Sequence, residues 1–211
     1  MEAFAIAREL GADGVELDVR TSADGVLIVH HDAEAQGVGL LAKLPFGAIR
    51  EAMPSIPTLA EALDVCAGML VNVEVKCLPW EADPDPERIV ARTAVDIVRE
   101  VEAKALFSSF DLGAVDAIRT YASEAVTAFL VAGQDLAPVA ALARSHGHGS
   151  LHPDRNTVLA APARAVAITH GEGLACNVWT VDDPDDIRTL TDAGVDGIIT
   201  NVPDVALSAL R

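Results

Sequence analysis

Short apolar, β-branched runs alternate with helical patterns along this chain, and no other feature narrows the possible fold as much. The candidate strands are Gly14–Arg20, Val26–His31, Leu70–Lys76, Ala105–Ser109, Val126–Val131, Gly149–His152, Cys176–Val181 and Gly197–Thr200. Several are nearly continuous apolar runs, as expected of a parallel sheet covered on both faces. One connection breaks the alternation. Gly14–Arg20 and Val26–His31 are separated only by Thr21-Ser22-Ala23-Asp24-Gly25, too short for a helical crossover. This reads as a hairpin with Asp24-Gly25 at its turn. The order after it is βαβα to the C-terminus. The expectation is an α/β fold with a parallel sheet, open or closed.

The helices carry their own start and stop signals. Thr58 and Glu61 make a capping-box pattern ahead of Leu59, Leu63 and Val65. Asp85-Pro86 and Asp183-Pro184 each place a cap before a proline suited to the first helical turn. Asp111 and Asp135 read as further N-caps, and Gly68 and Gly194 fall where helices should stop. Met1–Leu10 reads as an amphipathic helix, not a signal peptide.

Charge and cysteine content restrict the partners. Fifteen basic side chains stand against 32 acidic ones, a net charge of −17. Such a surface repels nucleic acid and anionic membranes. It leaves room for an anionic substrate wherever a metal ion or a few basic groups reverse the local field. No apolar stretch reaches the roughly 18 residues a membrane span needs. Cys66, Cys77 and Cys176 fit no zinc or redox spacing and read as buried reduced thiols, with the cytoplasm as default compartment. Hydrophobic residues make up 51% of the chain, enough for one barrel-sized domain over 1–211.

Charged residues inside the apolar runs point to chemistry. Glu16 and Asp18 lie two apart on one strand and so share a face. Two such carboxylates repel unless a cation or proton lies between them; the bland alternative is a solvated edge. Glu74 and Lys76 repeat the pattern on Leu70–Lys76, where the bland account is a salt bridge at the strand end. Three carboxylates from strand ends would make an oxygen-rich site for a hard cation, Mg²⁺ or Ca²⁺. Lys76 would then add a compact positive charge for a phosphate. Val29-His30-His31-Asp32 offers an acid/base histidine, although parity alone does not choose between His30 and His31. Trp179 alternates with Asn177 and Val181, and is either core or part of a barrel mouth. P-loop, dinucleotide and nucleophile-elbow motifs are absent.

The segments GADGVELDVR, DGVLIVHHDA, IPTLAEAL, VNVEVK, SSFD, HPDRNTV, NVWTVDDP and GVDGIITNVPD, in this order, resemble the glycerophosphodiester phosphodiesterase family. The match runs from Gly11 to Asp204. It implies a TIM (β/α)8-type barrel that uses a divalent metal to hydrolyse a glycerophosphodiester to an alcohol and glycerol phosphate. Residue by residue, it implies Glu16, Asp18 and Glu74 as metal ligands and His31 as one of two acid/base histidines. It sets Lys76 near the phosphate, Trp179 against the glycerol moiety, and His152, which opens HPDRNTV, on the substrate side.

The chain departs from that pattern at two places. The family begins with a strand carrying His-Arg-Gly and a loop ending Glu-Asn-Thr, whereas this chain opens MEAFAIARELGADG. The first strand, a second catalytic histidine and a phosphate-binding arginine therefore have no counterpart, and Met1 reads as an internal codon taken as the start. After His31-Asp32, Ala33-Glu34-Ala35-Gln36-Gly37 replaces the family's usual phosphate-contacting loop. Two further expectations follow. One is a weakly active or non-catalytic metal- and phosphodiester-binding module. The other is self-association through the exposed edge of an open barrel. A sphingomyelinase-type phospholipase D is a runner-up on the same fold.

Overall fold

Odd and even positions of the first strand, β1 (Gly14–Thr21), meet different surroundings, and this parity organises the N-terminal half. Val15, Leu17 and Val19 pack into a hydrophobic core, while Glu16, Asp18 and Arg20 share the opposite face. The computed structural model describes residues 1–210 and resolves two compact units, Met1–Ala125 and the residues from Val126 onward.

In the first unit, β1 pairs antiparallel with β2 (Leu27–Val29) and parallel with β5 (Leu70–Val75), which pairs parallel with β6 (Ala105–Ser109). The expected hairpin is present, and Gly25 at φ 81° takes the left-handed turn position that glycine favours. Ser22 closes the turn, its amide donating to the Val26 carbonyl at 2.9 Å. Strand β2 is shorter than expected. Beyond Val29, the His30 amide donates to Asp18 at 3.0 Å, but regular pairing has ended.

Three helices cover the apolar face: α1 (Glu2–Leu10), α3 (Leu59–Val65) and α4 (Ile89–Glu100). Leu59, Leu63, Val90, Ala94 and Val98 meet Leu17, Val73 and Val75 there, each removed from water at about 25 cal/mol per Å² of apolar area. The capping box at α3 is complete: the Thr58 hydroxyl accepts from the Glu61 amide at 3.2 Å, and Glu61 Oε2 accepts from the Thr58 amide at 2.8 Å. Such a cap contributes about 1 kcal/mol. Helix α4 begins three residues later than Asp85-Pro86 suggests. Asp85 Oδ2 still accepts an early amide of that helix, from Val90 at 2.7 Å. Arg88 interposes a left-handed turn, φ 57°, held by its donation to the Asp85 carbonyl and an ion pair with Asp111.

Residues 32–57 form a satellite that the sequence did not signal. Short strands β3 (Glu34–Ala35) and β4 (Gly39–Leu40) pair, and helix α2 (Phe46–Ala52) follows. Ile28, Ala35, Leu41, Ile49 and Ile56 make its core. Helix α5 (Leu112–Tyr121) completes the unit, with Asp111 accepting from the Gly113 amide as its cap.

In the second unit, β7 (Val126–Val131), β8 (Ser150–Pro153), β9 (Ala175–Val178) and β10 (Gly197–Ile198) pair in parallel in that order. Helices α6 (Leu136–Ser145), α7 (Arg155–Leu159), α8 (Pro162–Gly171), α9 (Pro184–Ala193) and α10 (Pro203–Ala209) alternate with them. Asp135 and Asp183 cap α6 and α9 as expected, and Gly194 ends α9 at φ 87°. Strand β9 stops three residues short of its expected end at Val181, and β10 two residues short of Thr200. All three cysteines are buried and unpaired, and no described helix is long and apolar enough to cross a membrane.

Candidate active site

Strand parity assembles the first cluster. Register places Glu16 opposite Asn72 and Asp18 opposite Glu74 across the β1–β5 pair. Carboxylate oxygens of Glu16, Asp18 and Glu74 lie within 4.8 Å of one another. Lys76 follows Glu74 on the same face. Its Nζ stands 3.0 Å from Asp18 Oδ1, makes an ion pair with Glu74, and sits 5.7 Å from the centre of the Phe110 ring.

One ammonium cannot balance three carboxylates at this spacing. Burial, then the charges of Asp18 and Glu74, push Glu16 up to about 8, with Lys76 opposing. Burial likewise raises Glu74; Lys76 pulls it down, Asp18 adds to the rise, and His31 makes a smaller lowering contribution. Lys76 is held above its ordinary value because Glu74 and Asp18 outweigh its burial. At neutral pH, then, the cluster limits its own charge by retaining a proton.

A divalent cation fits these residues. All the donors are oxygens, the ligand class that hard cations select. Glu16 Oε1 is buried with no hydrogen-bond partner, as are both polar atoms of the Asn72 amide opposite it. A cation at the carboxylates would compensate the charge that now requires the proton on Glu16.

Of the two histidines, His31 is the one whose charge reaches Glu74. Its ring is exposed, and its Nδ1 lies 2.7 Å from Asp32 Oδ1. The carboxylate can only accept, so Nδ1 carries the hydrogen, and Nε2 is left for proton exchange. The His30 ring turns instead to the Asp32 carbonyl, Nδ1 at 2.8 Å.

His152, on β8 in the second unit, is 1% exposed. Its Nε2 accepts from the Asn177 amide at 2.9 Å and lies 3.2 Å from Ser150 Oγ. Burial drives its pKa down to about 4, so the ring is neutral at ordinary pH. Trp179 follows β9 and is half-buried, which sets it apart from a core tryptophan. Its indole nitrogen donates to the His152 carbonyl at 2.8 Å, fixing the ring at the end of β8.

Two residues on the first cluster's face were not singled out by sequence. Asn72 shares the parity of Glu74, which is the only signal it carried. Arg20 shares the parity of Glu16 and Asp18 and is nearly buried, but its contacts are all long-range.

Comparison with known proteins bears on this arrangement. A family model described as the glycerophosphoryl diester phosphodiesterase family matches residues 1–205. A probable glycerophosphodiester phosphodiesterase 2 from Mycobacterium tuberculosis is 31% identical, over all of this chain and 84% of its own length. A glycerophosphodiester phosphodiesterase from Caldanaerobacter subterraneus is 28% identical, over 99% of this chain and 90% of its own. Among solved structures, a glycerophosphodiester phosphodiesterase from Parabacteroides distasonis superposes with TM-score 0.84 at 27% identity, covering 97% of this chain and 86% of that one. The Thermotoga maritima enzyme does so with TM-score 0.83 at 26% identity, covering 100% and 90%. These likenesses put the fold in the α/β class of TIM-barrel type.

Proposed function

This chain belongs to the glycerophosphoryl diester phosphodiesterase family, and on that premise we propose that it hydrolyses a glycerophosphodiester with Glu16, Asp18 and Glu74 holding a divalent cation, Mg²⁺ or Ca²⁺. Family membership makes it a phosphoric diester hydrolase. The bond between phosphorus and the alcohol oxygen breaks. Water, or a neighbouring glycerol hydroxyl that water later displaces, supplies the new oxygen, and the products are an alcohol and glycerol phosphate. The observation that carries the metal assignment is the convergence of three carboxylates within 4.8 Å, one of them with an unpartnered buried oxygen.

A cation bound there would polarise the phosphoryl oxygens and offset charge gathering on them. The protein's own groups do the rest. Lys76 presents an ammonium to the phosphate from the edge of the cluster. His31, oriented through Nδ1 by Asp32, delivers a proton from Nε2 to the leaving alkoxide. Trp179, held by the His152 carbonyl, would offer a flat apolar face to the glycerol moiety.

The test is release of glycerol phosphate from glycerophosphocholine by metal-stripped protein, alone and after adding Mg²⁺ or Ca²⁺. The expected result is turnover only with metal. Equal turnover in both arms refutes the metal's part, and no turnover in either refutes the assigned reaction.

A further inference from the structure

Arg20 is the third charged residue on the face of β1 that carries Glu16 and Asp18, and it does not touch the carboxylate cluster. Its side chain is 3% exposed. Nε donates to the carbonyl of His31 at 2.8 Å. Nη1 donates to Asp83 Oδ1 at 2.7 Å and Nη2 to Glu81 Oε1 at 3.1 Å. Glu81 in turn accepts from the Leu78 amide at 3.2 Å. One guanidinium therefore joins two segments that strand pairing leaves independent: the histidine-bearing end of the hairpin and the loop that follows Lys76.

A buried arrangement of this kind is a poor stabiliser. Desolvation offsets most of its Coulombic gain, and an apolar replacement often does as well. Burial raises the Asp83 carboxyl and Glu81 adds to the rise, while Arg20 and a backbone hydrogen bond oppose it without cancelling it. What the arrangement supplies is geometry, because a planar fork fixes three acceptors at set angles. The His31 ring is exposed and pairs with the Asp32 carboxylate, itself an exposed group on the adjacent residue. The His31 backbone is anchored by Arg20, and its neighbour His30 by Asp18.

We propose that Arg20 is the positioning residue for His31, tying its carbonyl to the Leu78–Asp83 loop and so holding the imidazole at its working distance from the carboxylate cluster. The inference rests on the reading of His31 as the general acid. Proton delivery depends steeply on placement, and a shift of about 1 Å can cost two orders of magnitude in rate.

Leaving-group dependence separates positioning from bulk stability. Glycerophosphocholine needs a proton on its leaving alkoxide, whereas bis(4-nitrophenyl) phosphate releases a phenolate that needs none. Arg20→Lys keeps the charge that Glu81 and Asp83 require, but its single nitrogen cannot occupy the three separate positions from which Nε, Nη1 and Nη2 donate. It should lower kcat on glycerophosphocholine about tenfold or more while leaving KM and aryl turnover within about twofold. His31→Ala should show the same selectivity, with a loss of about 10²–10⁴. Equal slowing of both substrates by Arg20→Lys, or none, beside a selective His31→Ala overturns the inference. A His31→Ala variant without selectivity overturns the reading of His31 instead. Hydrogen exchange on the metal-free protein then decides the tie by itself. Arg20→Lys and the gentler Asp83→Asn should each loosen residues 30–32 and 78–83 together, and loosening of only one segment contradicts it.

Discussion

Lys76 Nζ stands 3.0 Å from Asp18 Oδ1 and also pairs with Glu74, so one ammonium serves two carboxylates on neighbouring strands. Replacing it by methionine leaves those carboxylates buried without a counter-charge. Lys76→Met should therefore lower metal-free stability by about 3 kcal/mol, read by urea denaturation. With metal present, turnover should fall by about 10²-fold or more, because a positive contact to the phosphoryl oxygens is lost. A stable variant with normal turnover would show that Lys76 only balances charge.

Asn72 is 7% exposed, and neither its amide nitrogen nor its amide oxygen has a partner. Its chain neighbours, Val71 and Val73, are valines in the core. Asn72→Val should then stabilise the metal-free protein by about 1 kcal/mol, since an unsatisfied buried amide is removed. The same change should weaken binding of a cation that Glu16, directly opposite, helps to hold. Loss of stability in the variant would mean that the amide has a partner in solution.

His152 gives a pH prediction with a definite sign. Its folded pKa of about 4 lies below the ordinary 6.5 because of burial. The unfolded chain therefore takes up a proton as pH falls through 6.5, while the folded protein does not until about pH 4. Stability is lost across that window, by about 2 kcal/mol between pH 6.5 and pH 5. Replacing His152 with glutamine should flatten that part of the pH–stability curve. Parallel curves for the two proteins would contradict the buried neutral state.

Trp179 is tied by its indole N–H to the His152 carbonyl. Trp179→Phe keeps an aromatic face but loses that bond, so KM should rise only a few-fold, whereas Trp179→Ala should raise KM about tenfold or more at similar kcat. Steady-state kinetics on glycerophosphocholine distinguish this from a core role, for which both variants would lower stability and leave KM alone.

What could be read from sequence was what is decided locally. The hairpin after β1, the caps at Thr58, Asp111, Asp135 and Asp183, and the shared face of Glu16 and Asp18 all follow from a few adjacent residues. Asp85 shows the limit: it caps its helix across a longer turn, because Arg88 binds both the Asp85 carbonyl and Asp111. The satellite around Ile49 and Ile56 went unseen because strands of two residues have no readable period. Parity could not show that both histidine rings turn their Nδ1 to Asp32, His30 to its carbonyl and His31 to its carboxylate. Arg20 was visible as a residue but not as a tie, since its partners lie 11 and more than 60 positions away.

The most direct measurement is calorimetric titration of the metal-stripped protein with Mg²⁺ and with Ca²⁺. One divalent cation should bind per chain with release of protons near neutral pH, and Glu16→Ala or Glu74→Ala should abolish the binding while the protein stays folded. Unchanged binding in both variants, or none in the unaltered chain, would contradict a metal centre built from Glu16, Asp18 and Glu74.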